Sequence, residues 1–278
     1  MIRSDSTSFP LSRDIFDFPD GIVLPIDKPY RWTSADIVRK VKYAAIRHFS
    51  KKNLKVGHAG TLDPLATGIL LVCIGPATRL AESLQASPKE YVAGITFGAT
   101  TPSYDLEKDI DRTFPLDRVS EESLRAVLPS FIGEQEQVAP LFSAKSVDGV
   151  RAYETARRLL SESRHAGVPF DPGDVLSSSL INIYDIELLS FDACPTYSPV
   201  FEDERSRIKV VDLSSIHLPS ASIRISCSKG TYIRSFARDL GESLGSGAFL
   251  NALRRTVNGG YTIKDAFSLE DALNLFVR

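Results

Sequence analysis

The stretch Gly57–Gly68, GHAGTLDPLATG, constrains this 278-residue chain more than any other. It combines three glycines with His58 and with Asp63, which stands between a leucine and a proline. The apolar run of residues 69–74 that follows, closed by a glycine and a proline, predicts a buried strand. Asp63 is therefore predicted to lie in a constrained loop that leads into the core, where proteins commonly place chemistry.

The loop allows two other interpretations. Asp63 followed by Pro64 is a good helix start, with aspartate as N-cap and proline at the first helical position. The Gly-His-x-Gly sequence could cradle a phosphate, although the Walker lysine and the Rossmann glycine spacing are missing. A catalytic role for Asp63 is favoured over the cap because Gly68 and the predicted strand leave room for one helical turn at most.

Charge is distributed unevenly along the chain. The formal net charge is only -2, but between Lys28 and Lys55 the lysines and arginines face a single acid, Asp36. A basic segment that leads directly into the glycine loop predicts a polyanionic substrate. A solvated helix face is the commoner meaning of such a run and stays an alternative.

The composition excludes several classes of protein. The three cysteines, Cys73, Cys194 and Cys227, are far apart and indicate neither a disulfide framework nor a zinc site, which favours a cytoplasmic protein. No segment is long and apolar enough to span a membrane. Residues 1–20 lack the pattern of a signal peptide and are predicted to be a loose extension.

Predicted strands and helices do not alternate strictly along the chain. Several strands follow one another as hairpin partners, which predicts an α+β fold with a mixed, mostly antiparallel central sheet. The predicted strands span residues 21–27, 69–75, 91–98, 180–191, 208–213 and 222–227. The predicted helices begin at Thr33, Thr78, Ser120, Arg151, Thr231, Phe249 and Ser268.

Two aromatic residues and an arginine lie at positions where they could serve a site. Tyr91 opens a predicted strand, where it can face a cleft or pack as a core tyrosine. Tyr232 and Arg234 fall in the first turn of the helix predicted after Thr231. Because a helix N-terminus disfavours a cation, Arg234 predicts a carboxylate or phosphate partner. An exposed arginine without a specific partner is the alternative.

Four motifs, in order, resemble those of the TruB tRNA pseudouridine-55 synthases. They are Gly57–Gly68, Lys89-Glu90-Tyr91, the stretch from Ser228 to Arg234, and Leu253-Arg254-Arg255. Residues 21–29 and 143–157 are similar as well, so that the resemblance extends from about Gly21 to the C-terminus. It implies a pseudouridine synthase fold with a catalytic domain over residues 21–278 and no separate PUA domain.

The resemblance also implies an activity. Such an enzyme flips one uridine out of the tRNA T-arm, detaches the uracil and rejoins it to the sugar through C5, without a cofactor or metal. Asp63 is implied as the nucleophile, Arg234 as its partner and Tyr91 as the residue that stacks on the uracil. The other implied residues are His58 in the gap left by the base, Tyr232 and Leu253 in the pocket, and Lys28 in a turn beside it.

The resemblance further implies that the partner is tRNA and that the enzyme is a cytoplasmic monomer. Residues 194–219 depart from the family because this connection is longer than usual. Two other functions stay open: a non-catalytic RNA-binding protein on the same scaffold, and a hydrolase that pairs Asp63 with Asp105. The hydrolase requires the two carboxylates to lie roughly 5–10 Å apart.

Overall fold

A computed structural model of the chain describes Ile2, Ser4 and residues 10–140, 146–147, 150–151, 178–198 and 208–277. The helix predicted from Arg151 and most of the similar stretch of residues 143–157 lie outside these ranges. The helices are α1 (Ser34–His48), α2 (Ala81–Ala86), α3 (Glu121–Val127), α4 (Ile233–Ser243) and α5 (Leu269–Asn274). The first strands are β1 (Ile22–Lys28), β2 (Val56–His58), β3 (Ala66–Ile74), β4 (Lys89–Phe97), β5 (Ala99–Thr100), β6 (Arg112–Thr113) and β7 (Gly133–Val138). The later strands are β8 (Ser146–Val147), β9 (Val150–Arg151), β10 (Ser178–Asp192), β11 (Ser220–Cys227), β12 (Ala248–Asn258) and β13 (Tyr261–Thr262).

The chain divides into two compact units. The first comprises Met1–Val92, Glu204–Ile208 and Leu253–Arg278, and the second comprises Ala93–Asp203 and Lys209–Ala252. Strands β4 and β12 each begin in one unit and end in the other. Within the described ranges, no helix has both the length and the apolar composition needed to cross a membrane.

The sheet of the first unit is mixed and is built around β3. Strand β1 is antiparallel to β3, with Lys28 opposite Gly68, whereas β12 is parallel to β3, with Leu253 opposite Ala66. Strand β2 is also antiparallel to β3, and β13 is antiparallel to β12. From Gly68 onward every residue of β3 is buried, as expected of a continuous apolar run inside a core. The strand predicted after the glycine loop is confirmed.

Helix α1 begins where its capping box predicted. The Thr33 hydroxyl accepts a hydrogen bond from the backbone N–H of Asp36, whose carboxylate accepts one from the backbone N–H of Thr33. Ile37, Val41 and Ala45 are fully buried and form the inner stripe of the helix. The basic residues of the helix therefore lie mostly on its outer faces.

The second unit contains an antiparallel sheet and helix α4. Strand β10 pairs antiparallel with both β11 and β7, and β4 is the other neighbour of β11. Helix α4 buries Phe236, Ala237 and Leu240. Its N-cap is Tyr232, one residue beyond the predicted Thr231, whose hydroxyl instead donates to the carbonyl of Ser228. The mixed, mostly antiparallel sheet with flanking helices confirms the predicted α+β fold.

Two predicted elements were wrong. Residues 249–255 were predicted as a helix and instead form most of β12, because pairing with β3 and β4 outweighs the helix preference of residues such as Ala252 and Leu253. Residues 208–213 were predicted as a strand and form none. There the backbone N–H of Val211 donates to the carbonyl of Leu106, in a loop.

The described part of the N-terminal extension is not loose. Residues Ile15–Asp17 form a 3-10 helix that is capped by the Asp14 side chain. Leu11 is buried, and its backbone N–H donates to the carbonyl of Leu275 at 3.0 Å. This part of the extension therefore packs within the first unit.

Replacing Gly68 tests the close contact of β3 with β12. Gly68 has a φ of +98°, and a Cβ added there would lie 2.2 Å from the carbonyl oxygen of Arg255. We expect Gly68→Ala to lower the free energy of unfolding by about 3 kcal/mol, because relief requires the two strands to separate. Urea denaturation measures the change.

Gly57→Ala is the matched control. It makes the same substitution on the neighbouring strand β2, but a Cβ at Gly57 would have nothing within 4 Å. Its expected effect is below about 1 kcal/mol. Equal destabilisation by both variants would contradict the proposed contact.

Candidate active site

Asp63 lies in a turn that leads directly into β3. The backbone N–H of Ala66 donates to the carbonyl of Asp63 at 3.1 Å, and β3 begins at Ala66. No helix starts at Pro64, so the N-cap interpretation of Asp63 was wrong. The side chain of Asp63 is half-buried. A half-buried carboxylate on a constrained turn is positioned to act on a bound molecule.

Side chains from the first unit fix the residues on both sides of Asp63. The Ser34 hydroxyl donates to the carbonyl of Leu62 at 3.1 Å and accepts from its N–H at 3.0 Å. The Lys28 ammonium donates to the carbonyl of Pro64 at 3.1 Å. Because Ser34 begins α1 and Lys28 ends β1, two regular elements hold the loop in place.

The buried guanidinium of Arg255 joins the same loop to the sheet. Arg255 is 1% exposed, and its Nε donates to the carbonyl of Ile69 at 2.7 Å. Its two terminal nitrogens donate to the carbonyls of Gly60 at 3.1 Å and Thr61 at 3.3 Å. Arg255 belongs to one of the four motifs, but its role was not predicted, since no local pattern shows which carbonyls it reaches.

Lys28 is a fully buried cation beside the nucleophile candidate. Its ammonium also donates to the carbonyls of Pro29 at 3.0 Å and Trp32 at 2.6 Å. The pKa of Lys28 is lowered to about 8: burial lowers it most, the charge of Asp63 opposes this shift, and the positive charge of Arg255 adds to it. The structure thus brings together two residues that the sequence predicted, Lys28 and Asp63.

His58 belongs to the same electrostatic neighbourhood. It lies on β2 opposite Val72 and is half-buried. Burial lowers the pKa of His58, and the positive charge of Arg255 lowers it further, so the neutral ring is favoured at physiological pH. Its Nδ1 is buried without a hydrogen-bond partner in the part of the chain that the structure describes.

Two more predicted residues lie in the first unit. Tyr91 is on β4 and is 9% exposed, and Leu253 is on β12 opposite Ala66, at the start of the strand that follows the Asp63 turn. Next to Leu253, the Arg254 guanidinium donates to Asp27 at 2.7 Å, and Asp27 also accepts from the N–H of Gly68. The β12 segment is therefore tied to both β1 and β3 near the loop.

Arg234 and Tyr232 lie in the second unit. Arg234 is 5% exposed, so its interpretation as an exposed arginine was wrong. Its Nε lies 3.8 Å from Oδ2 of Asp105. One of its terminal nitrogens donates to the carbonyl of Ser103 at 3.2 Å. The other Asp105 oxygen accepts from the Ser103 hydroxyl at 2.6 Å and from the N–H of Glu107 at 3.0 Å. These contacts give Asp105 a structural role; the pairing of Arg234 with Asp63 stays a prediction.

Gln137 was not among the predicted site residues. Its side-chain amide makes two hydrogen bonds to the backbone of Tyr232. Nε2 donates to the Tyr232 carbonyl at 3.2 Å, and Oε1 accepts from the Tyr232 N–H at 2.8 Å. These bonds fix the backbone at the start of α4, immediately before Arg234. Because the two residues are 95 positions apart, no local sequence signal indicates this contact.

Comparison with known proteins gives consistent matches. A model described as TruB family pseudouridylate synthase (N terminal domain) matches residues 47–194. The tRNA pseudouridine synthase B of Phocaeicola vulgatus is 42% identical over 254 residues, covering 91% of this chain and 92% of that protein. The protein of that name from Bacteroides fragilis is 44% identical, with coverages of 86% and 87%; the one from Thermus thermophilus is 39% identical, with coverages of 88% and 75%.

Solved structures agree at the level of the fold. A Cbf5-Nop10-Gar1 complex superposes with a TM-score of 0.59 at 24% identity, covering 99% of this chain and 58% of that one. An archaeal box H/ACA sRNP Nop10-Cbf5 complex gives 0.57 at 22% identity, with coverages of 99% and 62%. Together with the mixed sheet, these similarities confirm the predicted pseudouridine synthase fold.

The lowered pKa of Lys28 makes stability depend on pH. A free lysine titrates near 10.5 and folded Lys28 near 8, so between these values the unfolded chain holds a proton that the folded chain has lost. Stability from this group therefore rises with pH across that window. We expect the advantage of wild type over Lys28→Met, measured by urea denaturation, to grow by about 3 kcal/mol from pH 8 to 10.5.

Lys42→Met is the control for this measurement. Lys42 is an exposed lysine on α1, and its ammonium keeps its water in both states. The difference between wild type and this variant, measured over the same pH range, serves as the background for the Lys28→Met result. If the stability difference between wild type and Lys28→Met did not change with pH beyond this background, it would contradict a lowered pKa for buried Lys28.

Proposed function

The chain belongs to the TruB family of pseudouridylate synthases, and on this premise we propose that it acts at position 55, in the T-arm of tRNA, with Asp63 as nucleophile. The reaction, isomerisation of uridine to pseudouridine in tRNA, is that of its relatives at about 40% identity. The observation that carries the assignment of Asp63 is its loop, which Ser34, Lys28 and Arg255 anchor on both sides of the carboxylate.

A fixed carboxylate meets the needs of this chemistry. The nucleophile must meet one sugar carbon in a defined geometry, and a rigid loop avoids an entropy cost at the moment of reaction. It must also be ionised, and Lys28 supplies positive charge at close range. The product is an isomer of the substrate, so the step involves no net oxidation and no transfer to another molecule.

Two side chains of the first unit suit a flipped uridine. Extruding a base from folded RNA costs a few kcal/mol of stacking. Tyr91 would return part of this by stacking on the uracil, a contact worth roughly 1–3 kcal/mol. The neutral, flat ring of His58, with an unpartnered Nδ1, suits the gap that the base leaves in the RNA.

We assign Arg234 to pair with Asp63. Its guanidinium carries five N–H donors, so it can hold Asp105 and the carbonyl of Ser103 and still offer donors to a second carboxylate. Asp105 and Gln137 fix the arginine and the residue before α4, which supports a pre-organised cation. Tyr232 and Leu253 complete the proposed pocket.

The remaining assignments follow from the substrate. The lysines just before the Asp63 loop, Lys51, Lys52 and Lys55, would contact tRNA phosphates, which position the RNA without reading its sequence. We assign the catalytic domain to residues 21–278 and place the enzyme in the cytoplasm as a monomer. Support for the monomer comes from the site, because one chain supplies every proposed site residue. Light scattering of the purified protein tests it.

Asp63→Asn tests the nucleophile. The substitution keeps the shape of the side chain and removes its nucleophilic charge, so we expect turnover to fall at least about a thousandfold. Binding of tRNA should stay within about threefold of wild type because the anchors of the loop are unchanged. Tritium release from C5-labelled uridine in tRNA transcripts measures turnover, and filter binding measures affinity.

Two controls accompany this experiment. Asp20→Asn changes an exposed acid and should release tritium like wild type. A transcript with cytidine at position 55 should release none, and release from it would contradict the position. If Asp63→Asn turned over at the rate of wild type, another residue would have to be the nucleophile. Binding without turnover by wild type would favour the non-catalytic RNA-binding alternative.

A double variant separates two roles of Arg234. Arg234→Ala alone takes the guanidinium away from the buried Asp105 carboxylate, which we expect to cost about 3–5 kcal/mol of stability as well as most activity. Arg234→Ala with Asp105→Asn removes that charge, so thermal stability should largely recover while turnover stays at least about a hundredfold low. Recovery of turnover together with stability would show that the arginine serves only Asp105.

A further inference from the structure

A cavity of about 790 Å³ lies in the first unit, on residues that the proposed reaction does not use. Its walls are one face of α1, the end of α5 with the residues that follow it, and the N-terminal segment. Its lining includes Arg13, Tyr43, Arg47, His48, Phe49 and Phe276.

The lining of this cavity is strongly basic. Four of its residues are arginine or lysine, and no aspartate or glutamate is among the described residues that line it. Lys40, Tyr43 and Arg47 recur at the spacing of one helix face, beside the buried stripe of α1. Because the whole chain carries a net charge of -2, the cavity concentrates positive charge locally and attracts a polyanion.

Aromatic rings accompany the charges. The rings of Phe49 and Phe276 pack edge-to-face, with centroids 6.2 Å apart, and both also pack against the ring of His48. Tyr43 is 65% exposed, and the guanidinium of Arg47 lies 5.5 Å from its ring centroid. An exposed aromatic ring among cations is the arrangement that nucleic-acid surfaces use to stack bases beside bound phosphates.

His48 contributes a hydrogen-bond acceptor. Its Nε2 lies 3.1 Å from the carbonyl of Leu11 and 3.0 Å from that of Ser12, so this nitrogen carries the proton and donates. In the neutral ring, Nδ1 is then an acceptor; it is buried and has no partner in the described chain, in a side chain that is itself 8% exposed. The 2′-hydroxyl of a ribose is a donor of the kind that this nitrogen lacks.

Helix α1 connects the cavity to the catalytic loop. Ser34, its first residue, holds Leu62 next to Asp63, and Arg47 lies 13 residues further along the helix. At 1.5 Å per residue, the two positions are separated by about 20 Å. RNA in the cavity therefore belongs to a segment beyond the loop that carries the modified base.

We propose that the cavity is a second RNA-binding site, which holds a ribose-phosphate segment of the same tRNA outside the T-arm hairpin. The proposal rests on the proposed substrate. An acidic protein could also bind the positive charges of the cavity. RNA, however, supplies in one ligand the phosphates for the basic residues, a base for Tyr43 and a hydroxyl for His48.

Charge reversal at two lining residues tests the site. Arg13→Glu with Arg47→Glu changes two exposed side chains. We expect the dissociation constant for full tRNA to rise at least tenfold and the slope of log affinity against log salt to fall by about two. The kcat/KM on an isolated T-arm hairpin should stay within twofold of wild type. The control Arg79→Glu with Lys264→Glu makes the same change in charge at exposed residues of the same unit and should leave tRNA affinity within threefold.

Each outcome is decisive. Equal tRNA affinity of the cavity variant and the control would overturn the site and leave an acidic protein as the remaining partner. Equal losses on hairpin and full tRNA would overturn its assignment to a segment outside the hairpin. Failure of wild type to convert tRNA would count against the proposed function alone, because the binding comparison does not depend on turnover.

Discussion

The geometry of the catalytic loop depends on one buried cation, Arg255. Its guanidinium is removed from water and gives its hydrogen bonds to carbonyls on both sides of the Asp63 turn, at Gly60, Thr61 and Ile69. A loop of this kind has few backbone partners of its own, and a buried carbonyl without a donor is costly. The guanidinium therefore takes the place that a neighbouring strand would have in a sheet.

The same cation shapes the electrostatics around the loop. Its charge lowers the pKa of Lys28 and of His58, in addition to the larger effect of burial. Lys28 remains charged at neutral pH because its pKa is still about 8, whereas His58 is kept neutral. One arginine thus fixes the position of the loop and lowers the pKa of both its titratable neighbours. In the second unit, Asp105 and Gln137 serve Arg234 and Tyr232 in a comparable way.

Local sequence patterns correctly predicted structural elements that depend on neighbouring residues. The capping box at Thr33 and the buried strand after the glycine loop were confirmed because their determinants lie within a few residues of each other. The strand β12 was mistaken for a helix because its sequence favours both states and its partners, β3 and β4, are distant in the chain. The hydrogen bonds of Gln137 to Tyr232 and those of Arg255 to the loop were also missed, because these partners are distant in the chain. For the site residues, four motifs in order were more informative than any single residue type.

The discontinuity of the first unit has a consequence for how the protein is made. The catalytic loop is synthesised early, but Arg255 follows only after the whole second unit, which ends at residue 252. Until then the carbonyls of Gly60, Thr61 and Ile69 lack their donor, and β3 lacks its parallel neighbour. Domains form as their residues become available during translation, so this nascent chain can complete its second unit first. The ribosome thus delivers the Asp63 loop long before the arginine that fixes it, and the loop of a growing chain lacks this support until β12 emerges.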